Sequence, residues 1–159
     1  MNIMSFLDDR AVTVVLKSQG HNDKEAVIRE LVELLVQTGS IKDKDVNRLV
    51  QILLNRESLG STGIGQGVAI PHGKSDCVTK LVAAFGVSRE GVNFDSLDGE
   101  PVHIFFLLIA PEDSAGPHLK ALARISRLLK DKHFRDSLRV AKDEKALVRI
   151  LQDEDSRRH

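Results

Sequence analysis

The chain has 159 residues, with 23 basic and 23 acidic side chains and a formal charge of zero, which excludes the basic footprint of a general DNA or RNA binder. At 42% hydrophobic and 29% charged residues it has the composition of a packed globular domain, and it holds no Trp or Tyr to stack on bases. The lone Cys77 cannot pair within the chain, no export-type N-terminal segment is present, and the longest apolar run, Ile104 to Ala110, is far short of the ~18–20 residues of a spanning helix.

These features predict a cytoplasmic chain with no nucleic-acid partner and no membrane-spanning segment. At this length one domain buries roughly 68–70% of its unfolded surface and folds without staples.

The first predicted strand is Arg10–Lys17, which is β-branched and apolar. A helix should begin at Asn22, a capping residue with Glu25 three positions on, and stop at Gly39. Its buried stripe is Val27, Ile28, Leu31, Val32, Leu34 and Leu35. A second helix follows Asp43, turns Val46, Leu49, Val50 and Leu53 inward, and ends near Arg56.

From Gly60 to Gly73 five of fourteen residues are glycine, so regular helix gives way to close backbone approaches. Within this segment Val68–Ile70 reads as a short strand that Pro71 ends, leaving His72 just beyond the strand end. Leu81–Val87 and Val102–Ala110 read as strands, the second apolar enough to be covered on both faces. Pro117 suits the first turn of a helix with Leu119, Leu122, Ala123, Ile125 and Leu128 at its apolar positions and His118 at its N-terminus. Helices over about Lys132–Val140 and Asp143–Gln152 precede a polar tail, 154–159, expected to fray. The basic residues of Lys120–Lys142, Arg124 among them, read as a solvated helical face. The whole predicts an α/β fold, a single domain (1–153) with a central mixed β-sheet flanked by helices.

The glycine segment invites phosphate binding through exposed backbone N–H groups. Gly73-Lys74-Ser75 resembles the end of a P-loop, but the glycine needed five residues earlier is Val68, and Pro71 breaks the loop. Gly63, Gly65 and Gly67 give GxGxG, not the dinucleotide GxGxxG. No GxSxG elbow is present, and Ser58, Ser61 and Thr62 read as turn formers. The histidines at 21, 72, 103, 118, 133 and 159 lack metal-ligand spacing, so no metal and no cofactor are expected. His103, at the start of the apolar strand, reads as a sheet-edge residue.

His72 stands apart, because Pro71 and Gly73 flank it beside a flexible loop at a strand end. A neutral imidazole so placed is nucleophilic near pH 7 and can carry a transferred phosphoryl group. The segment NRESLGSTGIGQGVAIPHGK, Asn55 to Lys74, resembles the active segment of enzyme IIA of the bacterial phosphotransferase system, in its fructose/mannitol class. Within that class the wording is most similar to the nitrogen-regulatory type. The resemblance runs over almost the whole chain and is sharpest at IPHG.

The resemblance implies that His72 is phosphorylated by the histidine-containing phosphocarrier protein, with phosphoenolpyruvate and enzyme I upstream. It implies that His118, in PHLKAL, contacts the phosphoryl group or orients the first imidazole, and that Arg56 stabilises phosphate charge. Thr62 and Gly63 are weaker candidates for loop contacts, with turn formation alone as the alternative. Three readings stay open: a regulator acting on target proteins, a transport component passing phosphate to an enzyme IIB, and a non-catalytic binding module that keeps the fold.

Overall fold

The computed structural model describes residues 2–17 and 24–157, so the expected cap at Asn22 and the histidines His21 and His159 lie outside the described residues. The elements in chain order are β1 (Leu7–Thr13), α1 (Lys24–Gln37), α2 (Val46–Ser58), β2 (Gly63–Gly65), β3 (Val68–Ala69), β4 (His72–Lys74), β5 (Val82–Val92), β6 (Val102–Ala110), α3 (Ala115–Leu128), α4 (Lys132–Arg139) and α5 (Glu144–Arg157). The six strands form one mixed sheet in the order β1-β5-β6-β3-β2, with β4 also on β6. Strand β6 runs antiparallel to β5 and parallel to both β3 and β4.

Successive residues of a strand point to opposite faces, and every residue from Ile104 to Ala110 is buried, so both faces of the sheet centre are covered. Helices α1 and α2 pack on each other and on β5 and β4, α3 and α4 on β6, and α5 on β1 and α4. The edge-to-face pairs Phe85–Phe106 and Phe94–Phe105, with ring centroids 5.5 and 5.3 Å apart, fill the centre. Among the described residues no helix is long and apolar enough to cross a membrane.

The first two helices follow their sequence signals. Val27, Ile28, Leu31, Val32 and Leu35 are buried with Leu34 at the margin, and Gly39 takes φ +78° to end the first helix. Elsewhere tertiary pairing moved the boundaries. Strand β1 begins three residues before the expected Arg10 and stops at Thr13, because the Val14 N–H leaves the ladder to donate to Glu144 Oε2 at 2.9 Å. Strand β5 continues past Val87 to Val92 across a register irregularity, although Gly91 at φ +89° reads locally as a turn.

The expected apolar face of α3 and the expected end of α5 need more correction. Leu119 and Ala123 are exposed on α3, while His118, Ala121 and Arg124 join Ile125 and Leu128 on its buried face. Arg124 is therefore not part of a solvated basic face. Its Nε and Nη2 donate to Asp155 Oδ1 at 3.1 and 2.8 Å, and Nη2 also reaches the Asp155 carbonyl at 2.6 Å. Asp155 Oδ2 accepts the Ile3 N–H at 2.7 Å. The expected fraying tail is thus helical through Arg157, with Glu154 and Asp155 buried, because Asp155 satisfies donors from α3 and the N-terminal segment while Glu154 pairs with Arg157.

Candidate functional site

Strands β3 and β4 lie along the same edge of β6, one beside its first half and the other beside its second. Val68 and Ala69 pair with Ile104 and Phe105, and His72, Gly73 and Lys74 pair with Leu108, Ile109 and Ala110. Pro71 separates the two pairings. It has no N–H for a ladder, but its carbonyl accepts the Leu108 N–H at 3.0 Å, so the chain is pinned through the break. His72 is consequently the first residue of a new strand, where the sequence placed it beyond a strand end. Gly73 lies under α2, and a Cβ there would come within 3.2 Å of Ile52 Cγ2, which lets the helix sit close over the histidine strand.

The His72 ring is half-buried, and its Nδ1 lies 2.7 Å from the Ile70 carbonyl oxygen. A carbonyl only accepts, so Nδ1 carries the proton and the neutral ring keeps its lone pair on Nε2. The chain folds back from the end of β6 into α3, whose fourth residue, His118, packs edge-on against His72 with ring centroids 5.5 Å apart and planes at 73°. His118 is 6% exposed, and among the described residues its buried Nε2 has no hydrogen-bond partner. The amide of His118 is already bonded to the Ser114 carbonyl, so the side chain, not this N–H, is what the helix presents.

Burial lowers the pKa of both imidazoles from the ordinary value. For His72 the Arg56 cation adds to the lowering, while the Ile70 hydrogen bond and the Glu57 carboxylate oppose it. For His118 the nearby His72 and Lys74 add to the effect of burial. Two adjacent rings held neutral can supply a nucleophilic nitrogen and a hydrogen-bond donor, which one protonated ring could not do.

Arg56, in the last turn of α2, donates from Nη1 to the Gly60 carbonyl at 2.8 Å, and its charge reaches His72. Thr62 is buried with both N–H and hydroxyl given to Glu57, and the Gly63 N–H donates to Ser61 Oγ at 3.0 Å. The amides of these two loop candidates are thus committed inside the protein. Gly63 also answers a steric demand: a Cβ there would stand 2.9 Å from Ser96 Cα. Backbone cannot yield as a side-chain tip can, so Gly63→Ala should cost about 1–3 kcal/mol in denaturant unfolding. A loss under about 0.5 kcal/mol would show that the loop shifts freely.

Glu57 was not singled out from the sequence, and Lys74 was read there only as part of a P-loop-like end that the glycine spacing rejects. Glu57 adjoins Arg56, but only the fold shows that its side chain turns inward to the loop. His103 lies on the central strand, not at a sheet edge. Its Nδ1–H donates to the Ser88 carbonyl at 2.9 Å, five residues and roughly 17 Å along β6 from the Leu108 position that pairs with His72. His133 is exposed on α4. Among the described residues no group of three or more His, Cys, Asp or Glu side chains is arranged to hold a metal.

The family described as the phosphoenolpyruvate-dependent sugar phosphotransferase system, EIIA 2, matches residues 6–154. A fructose-specific EIIABC component of Bacillus subtilis is 39% identical over 98% of this chain, which spans 24% of that protein. A nitrogen regulatory protein of Bradyrhizobium diazoefficiens is 37% identical over 93% of this chain and 95% of its own length. The crystal structure of the nitrogen regulatory protein IIA-Ntr from Neisseria meningitidis superposes with a TM-score of 0.80 and 36% identity, covering 94% of this chain and 98% of that one. With the paired histidines at the end of the mixed sheet, these matches show that the chain belongs to the EIIA 2 family and is a component of the phosphoenolpyruvate-dependent phosphotransferase system.

Proposed function

We propose that His72 accepts a phosphoryl group on Nε2 from the phosphohistidine of the histidine-containing phosphocarrier protein, in the cytoplasm, and that the chain acts chiefly as a regulator read by its partners. The observation that carries this reading is the 2.7 Å hydrogen bond from His72 Nδ1–H to the Ile70 carbonyl, beside the edge-packed His118 ring. It commits one nitrogen and leaves the other as the nucleophile. In the transfer the Nε2 lone pair forms the new N–P bond while the donor imidazole departs with the electrons of the old one, and Nδ1 keeps its proton on Ile70 throughout.

His118 Nε2, unpartnered and buried, is the donor suited to a phosphoryl oxygen, and the Arg56 guanidinium offsets charge spread over the transferring group. Exchange between two phosphohistidines is nearly balanced, so alignment and exclusion of water are the main demands. Thr62 and Gly63 shape the loop in this reading and leave the phosphate to the side chains. The exposed Leu59, Ile64 and Leu119 offer the phosphocarrier an apolar rim.

A phosphoryl group brings about −1.5 to −2 charge. On a chain with 23 bases and 23 acids this is a local change that a partner can read. The relatives named nitrogen regulatory proteins favour regulation, and the fructose-specific relative keeps transfer to an enzyme IIB as the second reading. The test is incubation with phosphoenolpyruvate, enzyme I and the phosphocarrier, then peptide mass spectrometry under conditions that preserve phosphohistidine. Phosphate is expected on His72, and its absence beside a labelled control EIIA would defeat the reading. Onward transfer to added enzyme IIB proteins would select transport over regulation.

A further inference from the structure

Glu57 lies in the last turn of α2 with its side chain 3% exposed. A carboxylate there faces the negative end of the helix dipole and loses hydration, so its position requires compensating donors. Thr62 supplies two of them. Its N–H donates to Glu57 Oε1 at 3.0 Å and its hydroxyl donates to Oε2. Lys24 Nζ stands 3.5 Å from Oε1 and equally far from Asp95, and lies 5.1 Å from the centre of the Phe94 ring.

The series does not stop at the loop. The Thr62 carbonyl accepts the Ile70 N–H at 3.0 Å, and the Ile70 carbonyl accepts the His72 Nδ1–H at 2.7 Å. Thr62 and Ile70 are each held at both main-chain ends, and Pro71 fixes φ between Ile70 and the histidine. A displacement of the Glu57 carboxylate is therefore passed through two buried residues to the imidazole.

We propose that Glu57 is a positioning residue for His72, holding the ring through Thr62 and Ile70 in the Nδ1–H tautomer with Nε2 free. The effect on transfer rests on the reading of His72 as acceptor; the tautomer does not. The carboxylate charge also acts on His72 through space, in the direction that favours its protonated form. As positive charge develops on the ring during attack, that same field is stabilising.

The test is Glu57→Gln in the full chain, which keeps the size and one acceptor but removes the charge and the second acceptor. Nitrogen-15 NMR of the ring should give the Nδ1–H form alone for the wild type near pH 7.5 and a mixture with the Nε2–H form for the variant. The initial rate of phosphoryl acceptance should fall about 10–100-fold, as expected for a misplaced nucleophile. Thr62→Val should move both readouts the same way, Thr62→Ser should restore them, and Glu57→Gln with Thr62→Val should lose no more than Glu57→Gln alone.

A folded Glu57→Gln protein with the wild-type tautomer or an unchanged rate would overturn the proposal, as would additive losses in the double variant. If Glu57→Gln does not fold, Thr62→Val and Thr62→Ser are measured by the same two readouts and decide in the same way. If the wild type takes no phosphate, the reading of His72 fails by itself, and the tautomer still decides the role of Glu57.

Discussion

His72→Gln is expected to abolish phosphoryl acceptance, a fall on the order of 10⁴-fold or more, as for loss of a covalent nucleophile. Glutamine can reproduce a hydrogen bond to the Ile70 carbonyl, but its amide nitrogen's lone pair is delocalised into the carbonyl and cannot attack phosphorus. The half-buried ring is not a core anchor, so the variant should melt close to the wild type. Phosphate recovered on another residue of His72→Gln at the wild-type rate would reject the assignment.

The same residue fixes the pH dependence. Burial and the Arg56 cation hold the His72 pKa below its ordinary value of 6.5, so the reactive neutral form should persist as pH falls below that value. Its acidic limb should move to higher pH in Arg56→Gln, where one lowering influence is removed. An NMR titration of the ring reads this directly, and an unmoved limb would remove Arg56 from the site. Stability carries the matching sign. A histidine whose folded pKa is depressed binds fewer protons folded than unfolded, so its contribution is complete above about 6.5 and is lost as pH falls through the folded value.

Asp155→Ala should give the largest loss of stability, about 3–5 kcal/mol. Arg124 and Asp155 have side chains 8% and 4% exposed, and removing the carboxylate strips a buried guanidinium of its bonds to Oδ1 while taking the Ile3 amide's acceptor away. At roughly 2–4 °C per kcal/mol for a chain of this size, the melting temperature should drop by about 10 °C. The double substitution Arg124→Met with Asp155→Leu should recover much of that, since a buried pair replaced by apolar groups is often neutral. A change of less than about 2 °C in Asp155→Ala would show that the pair does not hold the helices. The link bears on the proposed transfer because Arg124 and His118 share the buried face of α3.

The residues that sequence reasoning reached were those whose signal is local. Val102–Ala110 announced the central strand because an unbroken apolar run is tolerated only where both faces are covered. The spacing of Val27 to Leu35 and the left-handed Gly39 defined α1 in the same way. His72 was legible from Pro71 and Gly73 beside it, and His118 only through resemblance to the family segment. Glu57 was not legible, because nothing in the run Arg56-Glu57-Ser58 says which side chain turns inward.

The sequence by itself determined the mixed α/β fold and the apolar centre and singled out the histidine proposed here as acceptor, since periodicity and proline or glycine punctuation act over a few residues. Tertiary structure alone decided that α5 runs to Arg157, that Arg124 is buried, that His118 lies 5.5 Å from His72, and that Glu57 reaches it through Thr62 and Ile70. The reason is physical. A polar side chain is buried when distant partners satisfy its hydrogen bonds, and which partners arrive is set by the packing of the sheet and helices, not by its neighbours in the chain.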